Sequence, residues 1–377
     1  MASDMGKLFA VVFSLILLTQ FSVLANANED NNQINECNLQ FNGENANETV
    51  HFQTSLGPRL PGSEASSKLR ESIKSNLTDW RIVETSHHVD GMVLTNLFAT
   101  WNHGLGSEVI LAAHYDTRDR AEKDPDENRT MEPILGANDG ASGVAVLIEL
   151  ARIIPSMDLD HEVTLFFTDG EDQGIQPSFL GAKAWSENLS DEEAESIESF
   201  ILVDMVGDAN LTITKTVPGD VELWNRTEMA INDISDICED FSTEFYDNSS
   251  INGVGDDHIY AIQKGIPAID IIDVRYGPNA TAFGGYWHTH EDTDDKVSSE
   301  SLKTIGRIVE YGLEQGYWLN IRENPEPENN SIDFSEVDDD ASVVVENTSV
   351  GFIFIAMIIV IWANLLYLIY ADTEGEG

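Results

Sequence analysis

The 377-residue sequence predicts an α/β domain with a mostly parallel central sheet and helices on both faces. Short continuous apolar runs alternate with longer amphipathic stretches, the pattern of strands covered on both sides. His and carboxylate side chains follow directly on several of those runs, where ligands gather in open α/β sheets.

A turn segment at 57–62, Gly-Pro-Arg-Leu-Pro-Gly, opens onto a helix over 63–77. Strands are expected over 94–101 and 108–113, joined across His103-Gly104-Leu105-Gly106, and an apolar helix over 142–154. The run VTLFF marks a buried strand over 162–168, followed by a helix over 178–187 and a second buried strand over 200–203. A helix over 225–234, a strand over 268–274 and a closing helix over 298–319 complete the domain, and no internal repeat is seen.

The ends have a different character. Residues 1–27 read as a secretory signal: Lys7 precedes an apolar run, and Ala25-Asn26-Ala27 supplies small residues for cleavage. An N-terminal anchor is the alternative, but the run is short for a span. Residues 28–50 read as a polar leader and 51–322 as the folded domain, long enough for one well-filled core. Residues 323–349, rich in acids and holding Pro325 and Pro327, read as a self-repelling stalk. Residues 350–371 have the length and apolarity of a transmembrane helix, and 372–377 form a short acidic tail. That polar tail argues against a removed lipid-anchor signal. The domain is therefore expected outside the cell membrane, secreted across it and anchored in it by one C-terminal span.

With 67 acids against 20 bases the net charge is −47, which excludes nucleic acid as a partner because phosphates would be repelled. Such a surface suits concentrated salt; a calcium-loaded surface is the second reading, although no Asp-x-Asp-x-Asp-Gly loop is present. In this acidic chain a single carboxylate is a poor clue, and only position and spacing count. Cys37 and Cys238 are the sole cysteines; they either pair, tying leader to domain, or stand as two thiols. Asn-x-Ser/Thr sequons recur from Asn47 to Asn347, so surface glycosylation is expected if the chain is exported.

Three apolar strands end in candidate ligands: VILAA in His114-Tyr115-Asp116, VTLFFT in Asp169-Gly170-Glu171-Asp172, and FILV in Asp204. Asp139 lies in the loop before the 142–154 helix, and His288 follows the 268–274 strand within Trp287-His288-Thr289. Each alone has a plain structural reading, such as a core histidine or a helix cap for Asp139. Together they crowd carboxylates at one edge of a buried sheet, where like charges need a cation. Two histidines and three carboxylates suit zinc, with a position left for water or substrate. Two adjacent acids at a strand end point in different directions, so one of Glu171 and Asp172 binds metal while the other faces the open position as general acid/base. Asp116 is placed to orient the His114 imidazole. Asp257 either reaches the site or caps the helix after it, and Trp287 either walls a small pocket or packs in the core.

The ordered set GPRLPGS, HYD, NDGASG, DGED, DMVGD, DDH and WHT resembles the zinc metallopeptidase family of bacterial leucyl aminopeptidase, and more closely its glutaminyl-peptide cyclotransferase relatives. The resemblance spans about Leu56 to Leu313. It implies a zinc exopeptidase or phosphorylase/hydrolase-like fold and action on peptide or protein N-termini. By the same resemblance, His114 and Asp204 complete one metal position, Asp172 and His288 the other, Asp139 bridges them, and Glu171 is the catalytic acid/base. An aminopeptidase of this kind uses two zinc ions to activate water. A cyclase uses one, held by Asp139, Asp172 and His288, to polarise the side-chain amide of an N-terminal Gln. The Glu171-Asp172 order departs from the aminopeptidases and occurs in bacterial-type cyclases; the Asp256-Asp257-His258 and Trp287-His288-Thr289 segments also look cyclase-like. The expectation is therefore a glutaminyl-peptide cyclotransferase-like enzyme, with a two-zinc aminopeptidase as the alternative and a non-catalytic binding ectodomain as a minor one.

Overall fold

The computed structural model describes residues 37–174 and 179–322 and, in backbone, Val344–Val345. The segments expected as signal, membrane span and tail, and most of the expected stalk, lie outside these residues. Among the described residues no helix is long and apolar enough to cross a membrane.

In chain order the principal elements are α1 (Gly43–Ser55), α2 (Glu64–Asn76), β1 (Arg81–Val89), β2 (Met92–Trp101), β3 (Glu108–His114), α3 (Ala141–Ile153), β4 (Glu162–Thr168), α4 (Leu180–Asn188), α5 (Asp191–Ser196) and β5 (Ile197–Asp204). There follow β6 (Ile213–Val217), α6 (Val221–Ile237), β7 (Tyr246–Gly253), α7 (His258–Gln263), β8 (Ala268–Ile272), the short β9 (Arg275–Tyr276) and β10 (Gly284–Gly285), α8 (Ser299–Glu314) and β11 (Val344–Val345). The central sheet runs β1-β2-β4-β3-β5-β8. β4, β3, β5 and β8 are mutually parallel, whereas β2 is antiparallel to both β1 and β4. The sheet is thus mixed, mostly parallel, as expected, with an antiparallel edge. β6, β7 and β11 form a separate small sheet.

Period-two alternation divides the core. Along β3, Val109, Leu111 and Ala113 enter one apolar cluster and Ile110 and Ala112 the other. The first cluster is covered by α1, α3, α6 and α8, the second by α4, α5 and α7. Both faces are therefore buried, which is why the parallel strands read as mostly apolar runs. Each fully buried Leu, Ile or Phe there contributes about 1.5–3 kcal/mol relative to exposure.

Several elements differ from expectation: α5, α7, β6 and β7 are absent from the expected order of elements, and three further differences have a clear cause. β1 is an edge strand, largely exposed, and its polar sequence hides it. It turns into β2 through Asp90 and Gly91, both in the left-handed region at φ 49° and 83°, as a two-residue hairpin requires. The segment 178–187, expected as helix, enters α4 only at Leu180. The domain also begins before His51. α1 buries Ala46, Val50, Gln53 and Thr54 against the body, a stripe too weakly apolar to stand out in sequence.

The segment leading into α1 is held by three means. Cys37 and Cys238 form a disulfide, the bond of an oxidising compartment. Phe41 lies against α8 where Gly306 has no side chain; a Cβ there would come within 2.3 Å of the ring. Glu310 on α8 accepts the Gln40 and Phe41 backbone N–H groups, the latter at 2.9 Å. The disulfide spans 201 residues, so Cys238→Ser should lower stability by about 2–5 kcal/mol, read from denaturant melts with and without reductant.

Burial pushes the Glu310 carboxyl from 4.5 up to about 7, against the two backbone N–H groups that favour its charge. An acid raised on folding gives stability that is complete below the unfolded value and lost as pH rises through the folded one. The Glu310 contribution should therefore decline between pH 4.5 and about 7, and Glu310→Gln should flatten that part of a melting-temperature profile.

Candidate metal centre

β3, β4 and β5 are parallel, so their carboxyl ends share one edge, with His114 in register with Thr168 of β4. His114 closes β3, Asp204 closes β5, and Glu171 and Asp172 occupy the turn after β4. Asp139 comes from the turn before α3, where the Asp139–Gly140 peptide bond is cis. His288 comes from the loop after β10, with a left-handed backbone at φ 53°. Met205, directly after Asp204, is left-handed too at φ 48°; such conformations cluster where a site over-determines the chain.

His114, Asp139, Asp172, Asp204 and His288 are each 6% exposed or less. Their atoms form two triads. His114 Nε2 lies 3.1 Å from Asp139 Oδ1 and 3.2 Å from Asp204 Oδ1. His288 Nε2 lies 3.1 Å from Asp172 Oδ1 and 3.5 Å from Asp139 Oδ2. Asp139 thus turns one oxygen to each triad, and each set fits round a single ion. Gly140 makes room for this: a Cβ there would stand 2.5 Å from His114 Nε2.

A divalent cation fits these donors. His114 Nε2, Asp139 Oδ2 and Asp172 Oδ2 are buried without hydrogen-bond partners, which is costly unless another ligand satisfies them. Burial, and then Asp139, push the Asp172 carboxyl up to about 6, despite His288. Burial also raises Asp204, opposed by His114. Imidazole nitrogen and carboxylate oxygen in this number are zinc-type donors.

Glu171 differs from its neighbour. Asp172 faces Asp139 and His288, whereas Glu171 Oε2 lies 3.7 Å from His114 Nδ1, on the other side of that ring. Burial pushes its carboxyl well above the ordinary range; His114 opposes this, and Asp256, Asp172 and Asp257 add to it. Asp257 stands at the start of α7, but its side chain makes no capping bond. Instead Oδ2 accepts the Thr168 hydroxyl, Oδ1 is unpartnered, and burial pushes the carboxyl up to about 7. Asp116 faces His114 Nδ1 at 3.5 Å, while its oxygens accept the Glu171 and Asp172 N–H groups and the Gln173 amide. The Trp287 ring stacks on His288 with centroids 3.6 Å apart and meets Phe283 edge-on.

Four further residues brace the site and were not singled out from sequence. Glu122 accepts from His288 Nδ1 at 3.0 Å. Arg118 donates to Glu122 and to the Asp172 carbonyl. Asp292 accepts the Asn138 and Asp139 N–H groups and the Tyr276 hydroxyl. Arg59, fully buried, donates to the carbonyls of Tyr115, Leu135 and Gly136, tying the end of β3 to the segment that carries Asp139. In a chain with 20 bases, a basic residue inside a turn motif such as Gly57-Pro58-Arg59 is the more informative signal.

A model of peptidase family M28 matches residues 96–312, more than half the chain. Glutaminyl-peptide cyclotransferase of Bothrops jararaca is 24% identical over 318 residues, covering 73% of this chain and 82% of the relative. Among solved structures, Porphyromonas gingivalis glutaminyl cyclase superposes with a TM-score of 0.65 at 26% identity, covering 73% of this chain and 99% of that one. A leucine aminopeptidase precursor from Bacteroides thetaiotaomicron superposes with a TM-score of 0.64 at 25% identity, covering 73% and 98%.

Proposed function

The chain belongs to peptidase family M28, and from that premise we propose that it is a zinc enzyme of peptide N-termini, cyclising N-terminal Gln to pyroglutamate with loss of ammonia. The observation that supports this choice is Glu171, buried 3.7 Å from His114 Nδ1 and free of the two ligand triads, with the charge of the incompletely partnered acid Asp257 acting on it. Cyclisation needs one proton taken from the attacking amine and returned to the departing amide nitrogen, with no water consumed.

In this reading Asp139, Asp172 and His288 hold the ion, and His114 and Asp204 complete a second position around Asp139. Bound zinc supplies Lewis-acid polarisation of the substrate carbonyl. Glu171 takes a proton from the α-amine as the nitrogen–carbon bond closes and gives it to the amide nitrogen as that bond breaks. Asp257, buried with one oxygen unpartnered, adds to the field that favours the protonated form of Glu171. Asp116 orients His114, and Trp287 forms an apolar wall against His288.

A two-zinc aminopeptidase is the second reading, and the observation favouring it is that both triads are complete with Asp139 between them. The disulfide and the apolar segment 350–371 support a domain held outside the cell membrane by a C-terminal span.

The purified protein, with and without chelator, is given a Gln-initiated peptide and a Leu-initiated chromogenic substrate. Ammonia release without chain shortening supports cyclisation. Release of free Leu supports the aminopeptidase. Neither activity, in protein with zinc bound, removes both.

A further inference from the structure

The two candidate metal positions are not built alike behind their histidines. At one, Glu122 Oε1 sits 3.0 Å from His288 Nδ1. The same oxygen is held by Arg118, through Nε at 2.9 Å and Nη2 at 2.7 Å. The remaining arm of that guanidinium, Nη1, donates to the Asp172 carbonyl at 2.9 Å and lies 3.9 Å from Asp172 Oδ1. One cation thus reaches both outer ligands of this triad, Asp172 directly and His288 through Glu122. At the other position His114 Nδ1 faces Asp116 at 3.5 Å; Asp116 takes its hydrogen bonds from the backbone and amide groups described above, and the buried Arg59 guanidinium acts on it through charge and not through a hydrogen bond to its carboxylate.

The hydrogen bond to Glu122 also fixes the tautomer. A proton on Nδ1 leaves the Nε2 lone pair directed at the space between Asp172 and Asp139. The ring is further held by the stacked Trp287 and by the Lys123 N–H, which donates to the His288 carbonyl at 3.2 Å. A partner on the far nitrogen raises the basicity of a ligating imidazole and removes its rotational freedom.

We propose that Arg118 and Glu122 are positioning residues that selectively strengthen the metal position formed by Asp139, Asp172 and His288, and so decide which position fills first. The inference rests on the metal reading of the site, but not on which reaction the site performs.

Cobalt(II) alone tests it, followed by its visible absorption and by competition with a chelator. Glu122→Ala should weaken binding at the His288 position by about 10–100-fold. Glu122→Gln, which keeps an oxygen for the imidazole N–H, should fall between that variant and the wild type. In a His114→Ala background the loss caused by Glu122→Ala should persist. In a His288→Ala background it should shrink to within about twofold, the usual limit of additivity for uncoupled sites. Equal losses in both backgrounds, or unchanged affinity in folded Glu122→Ala, overturn the proposal. Should Glu122→Ala not fold, Glu122→Gln in the two backgrounds carries the same comparison. Failure of the wild type to bind cobalt removes the metal reading itself, and the proposal with it.

Discussion

Glu171→Gln should cut turnover by about 10²–10⁴-fold while leaving the metal content and the KM close to those of the wild type. Glutamine keeps the shape of the side chain but can neither take nor return a proton. The fold around it should survive, because the backbone N–H of residue 171 makes the bond to Asp116, not the side chain. Steady-state kinetics beside metal analysis of the purified variant checks this. Near-wild-type turnover would remove Glu171 from proton transfer. Loss of metal together with activity would make it a ligand instead. The pH dependence adds a second constraint: burial raises this carboxyl, and a bound cation nearby would lower it.

Asp139→Ala should do more damage than any other single ligand change. Its two oxygens face different histidines, so one substitution strips a donor from both triads. Activity should fall by more than about a thousandfold, equivalent to the several kcal/mol that metal-ion stabilisation of developing charge supplies. Metal content should drop at both positions, whereas Asp204→Ala should affect only the His114 position. Metal analysis of the two variants side by side separates these outcomes. Equal residual metal in both would deny Asp139 its bridging place. The partner of the substituted group matters as well, since loss of the carboxylate leaves His114 Nε2 with Asp204 alone.

The parallel core was legible because burial on both faces keeps these strands mostly apolar, with few polar interruptions such as Thr164 in β4 and Asp270 in β8. The apolar runs of β3, β4 and β5 mark these strands to within a few residues. β1 obeys the same backbone rules at an exposed edge, where Glu84, Ser86 and His88 can face water, so its composition resembles a loop. The Asp90-Gly91 pair was the available clue to it. α1 was missed for a related reason: its buried stripe is made of Ala46, Val50 and two polar residues, and what secures it comes from distant partners, Cys238 and Glu310.

The candidate ligands were legible because they sit at the ends of those recognisable strands. Glu122 was not, because it lies among Asp119, Asp124, Asp126 and Glu127, and nothing local distinguishes it from them. Only the approach of the His288 loop, far along the chain, selects it. Asp257 illustrates the limit of reading caps: its position is that of a cap, while its side chain turns inward to Thr168.

The bridge between the segment before α1 and the end of α6 also sets a waiting time during synthesis. At about 5–20 residues per second, the 201 residues between the cysteines take roughly 10–40 s to follow one another out. Throughout that interval Cys37 has no partner on its own chain, since Cys238 is the only other cysteine. Scrambling within one molecule is therefore ruled out by arithmetic. A wrongly oxidised product must join two nascent chains or capture a small thiol, so its yield should follow the expression rate.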